Sequence, residues 1–451
     1  MFCGSCMQDN TLVRTLRRAG TDALLVPTYT PIRVDEENVS SRRVFLGGVN
    51  VYLDSVLPGW KRLPPGLTRW LNLPGIIQLL TRFGGRTEAS RLGALTIDLL
   101  QGSLGPQRRE INEIVAYLCD DLRPDLILFS NALLSGIVPS LRTRFRGPLL
   151  TLLQGDDVFL EALDTRYRSQ AIELVSRNCR NFDGLLTHSD YYAQFMQSYL
   201  SLSAAVFRRI PLTIDGDGDI ARDVAAGFSD EASREDQRLN SDLHHRHSFT
   251  VGYFARICPE KGAHVFLEAA AALLAASDEF RFTIAGYLPE QHRSWFSEKL
   301  RALQDRHGTE RLCWAGSPTS RQEKLRILRS FDVLCVPTIY REPKGLYVLE
   351  AGLCGVPSLL PNHGAFPERL QALGFGTLFR PDVAGDLERA LTHLARQGRE
   401  LPELSGRQAS RDRESLRQRV IELHGMDATA PQLMNVLQGF VSQQTAGGAE
   451  M

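Results

Sequence analysis

The chain has 451 residues, and a typical domain size of roughly 150 residues predicts two or three domains. Apolar residues make up 43% of the chain, which is enough for ordinary hydrophobic cores and indicates a globular protein. The 52 basic residues balance 52 acidic ones, so no global field attracts nucleic acid or an anionic membrane, and any anion site must be local.

The first predicted element is a helix. The chain opens on "MFCGSCMQDNTLVRTLRRAG", a glycine-containing turn that leads into this helix, and the strand-like run "DALLVP" follows. A doubly wound domain normally has a strand before its first turn, and losing a central strand would expose two neighbouring strand edges. We therefore expect that Met1 is an internal methionine and that the native start lies upstream. The Cys3 and Cys6 pair has no second pair to complete a zinc site, so we interpret both as small residues of a tight turn.

Short apolar runs alternate with helix-length amphipathic stretches along the rest of the chain. The first half contains "VFLGGVNVYL", "DLILFS", "PLLTLL", "GLLTHS" and "FRRIPL", and the second contains "FTVGYFAR", "FRFTIAGY", "RLCWAG", "DVLCVPT", "VPSLLP" and "FGTLFR". Strands that are apolar on both faces are typical of parallel sheets covered by helices. We predict an α/β fold with two doubly wound domains and a cleft between them. The expected boundaries are 1–216 for the first domain, 217–248 for a polar linker, 249–427 for the second domain, and 428–451 for a C-terminal helix and tail.

The segment 60–86, "WKRLPPGLTRWLNLPGIIQLLTRFGGR", is basic and aromatic and contains no acidic residue. This composition is typical of an interfacial helix or of a surface that docks a lipid-linked or acidic substrate. Its prolines and glycines shorten any helix, so we favour an inserted lobe packed on the first domain. Peripheral membrane contact through 60–86 is the alternative.

The run "LLQGDDVFL" ends a predicted strand with three polar side chains, those of Gln154, Asp156 and Asp157. Polar groups at the carboxyl edge of a sheet suit acceptor binding or acid–base duty, so these residues form the acceptor-side candidate. An aspartate before an apolar helix is also a standard N-cap, and for Asp157 the sequence leaves both roles open.

The run "FARICPEKG" places Arg256 and Lys261 just past a predicted strand of the second domain. Two cations at the carboxyl end of a parallel strand lie where doubly wound sheets bind ligands, and arginine can hold phosphate oxygens in a bidentate fork. The alternative is that both are solvated surface cations. Their combination with Glu342 and Glu350, later in the same half of the chain, favours a ligand-binding site.

The segment "EPKGLYVLEAGLCGVP" puts Glu342 and Glu350 eight positions apart. Pro343 pushes Glu342 toward extended backbone and favours a helix that opens here, with free amides that suit a phosphate or diphosphate. Eight positions of continuous helix give roughly 12 Å of rise, so the two carboxylates would hold two ends of one elongated ligand.

Together, "ARICPEKG", the paired glutamates and the following "PNHGAFPE" resemble the donor-binding half of glycosyltransferase family four, also called glycosyl transferases group one. The resemblance is strong from about Phe249 to Arg380 and weak or absent from Trp60 to about Arg108. It implies the GT-B architecture, with two Rossmann-like domains facing a cleft and a C-terminal helix that crosses back to the first domain.

The resemblance also implies roles for particular residues. Arg256 and Lys261 would neutralise the donor diphosphate, Glu350 would bind the ribose hydroxyls, and Glu342 would contact the transferred sugar close to its reacting face. Glu342, Arg256 and Lys261 are thus the expected catalytic residues. The remaining donor-binding residues would be Gly4 and Ser5 from the first domain, and Lys344, Gly345, Leu346, Tyr347 and Val348.

The implied activity is transfer of a hexose from a UDP- or GDP-sugar with retention of configuration, without a metal or other cofactor. The acceptor would be a glycan, lipid or small molecule, and nucleic acid is not an expected partner. Many relatives carry a histidine where this chain has Gln154, which cannot act as a general base. A non-catalytic nucleotide-sugar sensor or scaffold is therefore an alternative, as is, less favoured, a GT-B epimerase or phosphorylase.

Location follows from composition. Most of the eight cysteines lie in apolar segments, which suits reduced thiols in the cytosol, and we find no leader or membrane-spanning run. We therefore predict a cytoplasmic protein.

Overall fold

The structure is a computed structural model, and it describes residues 4–28, 31–41, 43–45, 89–216, 248–397 and 402–448. The predicted lobe or membrane contact at 60–86 lies outside these residues, as does the predicted linker apart from residue 248. Two compact units are present, one of Leu212–Thr429 and one of Phe2–Pro211 together with Ala430–Met451. The exact domain boundaries stay a prediction.

In the unit that contains the N-terminal part, the described residues form a parallel four-stranded sheet in the order β1-β2-β3-β4. The strands are Ile127–Phe129 (β1), Leu149–Leu152 (β2), Gly184–Thr187 (β3) and Phe207–Arg209 (β4). Every residue of β2 and β3 is buried, as expected for strands covered on both faces. The run "DALLVP" was expected to be a strand, but within the described residues it forms only an isolated bridge between Leu25 and Ser40.

Helices surround this sheet, and several begin with a side-chain cap. Ser189 accepts a hydrogen bond from the Tyr192 amide, and Asp164 accepts one from the Arg166 amide. The α-helices described in this part of the chain are Gly4–Arg18, Ala89–Leu100, Arg108–Ala116, Val138–Arg142, Asp156–Glu161, Thr165–Cys179 and Asp190–Tyr199.

The last helix, Met426–Gly448, covers the same sheet. Its buried Leu433 and Leu437 form one core with residues of the first helix, of β2 and β3, and just after β4, namely Leu12, Leu16, Leu150, Leu152, Leu186 and Ile210. Phe440 lies against Gly184, where an added Cβ would be 2.4 Å from the Phe440 ring. The C-terminal helix therefore belongs to the N-terminal unit, as the fold prediction expected.

We expect Leu433→Ala to destabilise this unit by about 2–5 kcal/mol, because Leu433 is 1% exposed and its truncation leaves a cavity against the sheet. Hydrogen exchange of β2 and β3 measures the loss. The control is Gln438→Ala on the exposed face of the same helix, and equal protection in the two variants would contradict the packing role.

The part of the second unit that the structure describes forms a parallel six-stranded sheet in the order β10-β9-β8-β5-β6-β7. Its strands are Phe249–Phe254 (β5), Phe280–Ala285 (β6), Leu312–Trp314 (β7), Val333–Cys335 (β8), Ser358–Pro361 (β9) and Thr377–Phe379 (β10). The first and fourth strands of this unit, β5 and β8, are neighbours, and the chain winds outward from them in opposite directions. This order is that of a doubly wound dinucleotide-binding sheet, whose ligands bind where the direction reverses.

The helices of the second unit cover both faces of its sheet. The buried apolar residues form one hydrophobic cluster, whose members range in sequence from Leu212 to Val420. Gly252 of β5 allows the ring of Phe331 to approach closely, since an added Cβ would be 2.0 Å from it. The helices are Ala263–Ala276, Arg293–His307, Arg321–Arg329, Leu346–Leu353, Phe366–Leu373, Asp386–Gln397 and Pro402–His424.

Candidate functional site

The candidate site lies at the carboxyl ends of β5 and β8. Arg256 and Lys261 follow β5, and the loop after β8 leads to Glu342. The two loops touch at Gly262, whose φ is +71° and where an added Cβ would be 1.7 Å from the carbonyl oxygen of Pro337. Only glycine allows this approach, which brings Lys261 to the chain segment that carries Glu342.

Glu342 is the centre of a hydrogen-bonded cluster. Its Oε2 accepts from Lys261 Nζ at 2.5 Å, from the Tyr340 hydroxyl at 2.8 Å and from the Tyr347 hydroxyl at 3.1 Å. Lys261 Nζ also donates to the Tyr340 hydroxyl at 2.7 Å, and it lies 4.7 Å and 5.1 Å from the centroids of the Tyr340 and Tyr347 rings. These contacts fix both charged groups in one orientation.

The cluster sets the protonation of its members. Burial acts to raise the pKa of Glu342, but the charge of Lys261 and hydrogen bonds from Lys261 and Tyr340 outweigh it and hold that pKa below its usual value. Burial, followed by the charge of Glu342, raises the pKa of Tyr347 well above the usual value. Glu342 is therefore an ionised carboxylate and a poor proton acceptor, whereas Tyr347 remains a donor.

The helix after Glu342 begins later than the sequence predicts. Gly345 is its N-cap with φ +68°, and the first helical residue is Leu346. Glu342 lies before the helix and bonds the Gly345 amide through Oε1 at 3.4 Å. The expected rise of roughly 12 Å between the glutamates assumed one continuous helix. That assumption is wrong because Gly345 has left-handed backbone, which an α-helix cannot contain, so the helix starts only after it.

Glu350 lies inside the helix and has a partner that the sequence did not reveal. Lys324, from the helix Arg321–Arg329, donates to Glu350 Oε1 at 2.8 Å, and both side chains are about 10% exposed. The structure therefore pairs each of the two glutamates with its own lysine. Neither Tyr340 nor Lys324 could be inferred from spacing, although Tyr340 is only two positions before Glu342.

Two other predicted donor residues differ in exposure. Arg256 is exposed at the end of β5 and makes no ion pair with any residue that the structure describes, so its guanidinium is accessible to an anion. Lys344 is 7% exposed, and its carbonyl accepts a hydrogen bond from Arg369.

Gly364 packs against the backbone of Glu342, and the Ala365 amide donates to the Glu342 carbonyl at 2.9 Å. The segment around Glu342 is thus held from both sides.

The acceptor-side candidates form a separate network in the N-terminal unit. Gln154 Nε2 donates to Asp9 Oδ1 at 2.8 Å and to the Ser130 carbonyl at 2.9 Å. Asp156 accepts from the amides of Ala132 and Gln154 at 2.7 and 2.9 Å, so it ties together the loops that follow β1 and β2. Burial raises the pKa of Asp156 to about 6, despite these hydrogen bonds.

Asp157 accepts a hydrogen bond from the buried Tyr192 hydroxyl at 2.5 Å, and that hydroxyl in turn accepts from the Gly155 amide. The N-cap of this helix is Gly155, with φ +111°, so Asp157 is not the N-cap. Gly4 and Ser5 begin the helix Gly4–Arg18 in the same unit.

The raised pKa of Asp156 predicts how stability depends on pH. An unfolded aspartate titrates near pH 3.9, so between about pH 4 and 6 the native state binds more protons than the unfolded state. The free energy of unfolding that this group contributes therefore falls as pH rises through that window. We expect Asp156→Asn to remove this part of the slope, measured by urea denaturation from pH 4 to 7. If the free energy of unfolding depends on pH in the same way for the wild type and the variant, Asp156 does not make this contribution.

Two further findings concern the described residues only. No three histidine, cysteine, aspartate or glutamate side chains there are grouped so that they could hold a metal ion. None of the helices in these ranges has both the length and the apolar character required to cross a membrane.

Known proteins resemble both the sequence and the fold. Residues 236–412 match the family model "Glycosyl transferases group 1". Over 148 residues the chain is 30% identical to the D-inositol 3-phosphate glycosyltransferase of Mycobacterium sp. (strain KMS), a stretch that covers 33% of this chain and 32% of that protein. The aligned part of the chain thus spans about a third of the length of the curated relatives it matches.

Solved structures extend the likeness to the fold. Anabaena Alr3699/HepE in complex with UDP-glucose superimposes with a TM-score of 0.56 at 16% identity and covers 92% of this chain and 99% of its own. Sucrose-phosphate synthase from Thermosynechococcus elongatus gives a TM-score of 0.55 at 20% identity, over 75% and 79% of the two chains. At such identities the likeness shows the fold alone, and it confirms the predicted GT-B class with two Rossmann-like units. Residues 236–412, which carry Arg256, Lys261, Glu342 and Glu350, are thus the part of the chain that matches the glycosyl transferases group 1 model.

Proposed function

We propose that the protein is a retaining glycosyltransferase that moves a hexosyl group from a UDP- or GDP-sugar to an acceptor hydroxyl. The observation that carries the proposal is the meeting of Lys261 and Glu342, 81 residues apart in sequence, at the point of the sheet where doubly wound folds bind nucleotides. The family of residues 236–412 supports it, as do the structural neighbours, one of which was solved with UDP-glucose.

The donor diphosphate would contact two cations and a helix terminus. Arg256 is exposed and presents a fork of donors, and Lys261 uses two of its three hydrogens on Tyr340 and Glu342, which leaves a third for a phosphate oxygen. The first turn of the helix Leu346–Leu353 adds backbone amides and the positive end of the helix dipole. We place Glu350 at the ribose hydroxyls and Glu342 at the transferred sugar.

The chemistry would depend on charge stabilisation. The bond between the sugar C1 and the phosphate oxygen breaks with its electron pair moving to the diphosphate, whose charge Arg256 and Lys261 stabilise where it develops. The acceptor oxygen bonds C1 on the same face. Its proton passes to the departing phosphate oxygen, because the lowered pKa of Glu342 makes that carboxylate a poor base. Glu342 stabilises positive charge on the sugar ring.

A panel of nucleotide-sugars tests the proposal. The protein is incubated with UDP-, GDP- and ADP-sugars, and thermal stabilisation and slow donor hydrolysis are measured. Stabilisation by one nucleotide together with hydrolysis supports the proposal, and no stabilisation by any of them contradicts it. Stabilisation without turnover, even with cell-extract acceptors, would favour a nucleotide-sugar sensor or scaffold. Glu350→Ala is expected to weaken donor affinity, and Glu342→Ala chiefly to slow transfer.

The acceptor is proposed only as a class: a glycan, a lipid or a small molecule. Because the mycobacterial relative is named for D-inositol 3-phosphate, inositol phosphates are included in the acceptor screen. The expected cytoplasmic location stays a prediction.

A further inference from the structure

A buried lysine holds the glutamate that we place at the donor ribose. Lys324 is 7% exposed, and its Nζ donates to Glu350 Oε1 at 2.8 Å. A lysine amine is almost never this buried unless it has a charged partner. Glu350 is that partner, so the burial of Lys324 depends on this contact. The two residues are 26 positions apart and lie on different helices.

The helix that carries Lys324 is fixed at its N-terminus. Ser320 accepts a hydrogen bond from the Glu323 amide at 3.2 Å, and the Glu323 carboxylate accepts one from the Thr319 amide at 2.8 Å, an arrangement close to a capping box. Arg321 also pairs with Asp215 at 3.1 Å. The amine of Lys324 therefore reaches Glu350 from a rigid support.

The contact leaves one carboxylate oxygen for a ligand. Among the residues that the structure describes, Lys324 is the one hydrogen-bond donor to Glu350, and it uses only Oε1. The Glu350 side chain keeps 11% exposure, so Oε2 is the oxygen that can accept from a ligand hydroxyl. A carboxylate anchored through one oxygen cannot rotate away from a ligand at the other.

We propose that Lys324 is a positioning residue for the nucleoside end of the donor: it orients Glu350 so that Oε2 accepts hydrogen bonds from the ribose hydroxyls. This inference rests on the proposed function and adds a residue that sets the preference for ribose over deoxyribose.

Dissociation constants for UDP and GDP, each compared with its 2′,3′-dideoxy counterpart, test the inference. The dideoxy form lacks the hydroxyls that would donate to the charged Glu350 carboxylate. We therefore expect the wild type to bind the ribonucleotide that it selects at least about 10-fold more tightly than the dideoxy form. In Lys324→Met this ratio is expected to fall toward one. The control is Arg326→Met, an exposed cation on the same helix, which should keep the ratio.

A second variant keeps the test decisive if Lys324→Met fails to fold. Lys324→Arg retains the charge, but a guanidinium fork engages both carboxylate oxygens and so removes the acceptor from the ligand. We expect the ratio to fall here as well, whereas a merely structural role would leave it unchanged.

The outcomes separate the two proposals. If the wild type prefers the ribonucleotide and both Lys324 variants keep that preference, the inference is wrong and the proposed function stands. If the wild type binds a ribonucleotide and its dideoxy form equally, the role of Glu350 is wrong and the positioning role fails with it. If it binds no nucleotide at all, the proposed function itself is overturned.

Discussion

Replacement of Glu342 by glutamine is expected to lower kcat for sugar transfer by about 10²- to 10³-fold, with a smaller change in KM for the donor. Oε2 of this carboxylate is the acceptor for Lys261, Tyr340 and Tyr347, and the carboxylate is the negative group placed at the transferred sugar. The neutral amide keeps the size of the side chain but loses the charge that would stabilise the sugar cation. Initial rates of transfer, or of donor hydrolysis if the acceptor is still unknown, give the two constants.

The control for this measurement is Glu298→Gln, at an exposed position on the helix Arg293–His307. It should keep wild-type kinetics. A Glu342→Gln enzyme with normal kcat would remove Glu342 from the proposed mechanism, whereas an equal loss of donor affinity and of rate would indicate that Glu342 mainly shapes the phosphate site.

Gly262→Ala is expected to destabilise the protein by about 3–5 kcal/mol and to abolish nucleotide stabilisation. The substitution combines a left-handed backbone, with φ +71°, and a Cβ that would be 1.7 Å from the Pro337 carbonyl oxygen. The loops after β5 and β8 would have to separate, which would move Lys261 away from Glu342. Urea denaturation and thermal shift with the selected nucleotide measure the two effects.

Gly374→Ala is a matched control for the backbone term. Gly374 has nearly the same φ of +73°, but no atom lies within 4 Å of its added Cβ. It should therefore cost only the left-handed conformation, about 1–2 kcal/mol, and leave nucleotide stabilisation intact. Equal effects of the two substitutions would show that the contact between the loops is unimportant.

The sequence predicts the architecture well because its signals are local. Apolar runs such as "PLLTLL" and "GLLTHS" become the buried strands β2 and β3, since a strand covered on both faces has no polar alternation. Arg256 and Lys261 follow β5 as expected. These two residues lie at the point where the sheet reverses direction because of the order of its strands. Local sequence patterns do not predict that order.

The partners of the two glutamates could not be predicted in this way. Lys261 meets Glu342 across 81 residues, and Lys324 meets Glu350 across 26, so each pair depends on how loops and helices pack. The sequence predicted that the helix would begin near Glu342, because a proline favours the first turn of a helix. In the structure Gly345 is the N-cap, so the helix begins at Leu346. Asp156 shows a different limit, since a polar residue at a strand end proved to be buried and bonded to two backbone amides.

The place of the last helix in the N-terminal unit has a consequence for how the chain matures on the ribosome. Residues 212–429 are contiguous, so this part can complete its core as soon as it has been synthesised. The N-terminal part emerges first, yet Leu12, Leu150 and Leu186 keep an uncovered apolar surface until Leu433 and Leu437 arrive near the end of translation. The part that is made first is therefore expected to finish folding last, and a nascent chain stalled before Ala430 should depend most on chaperones.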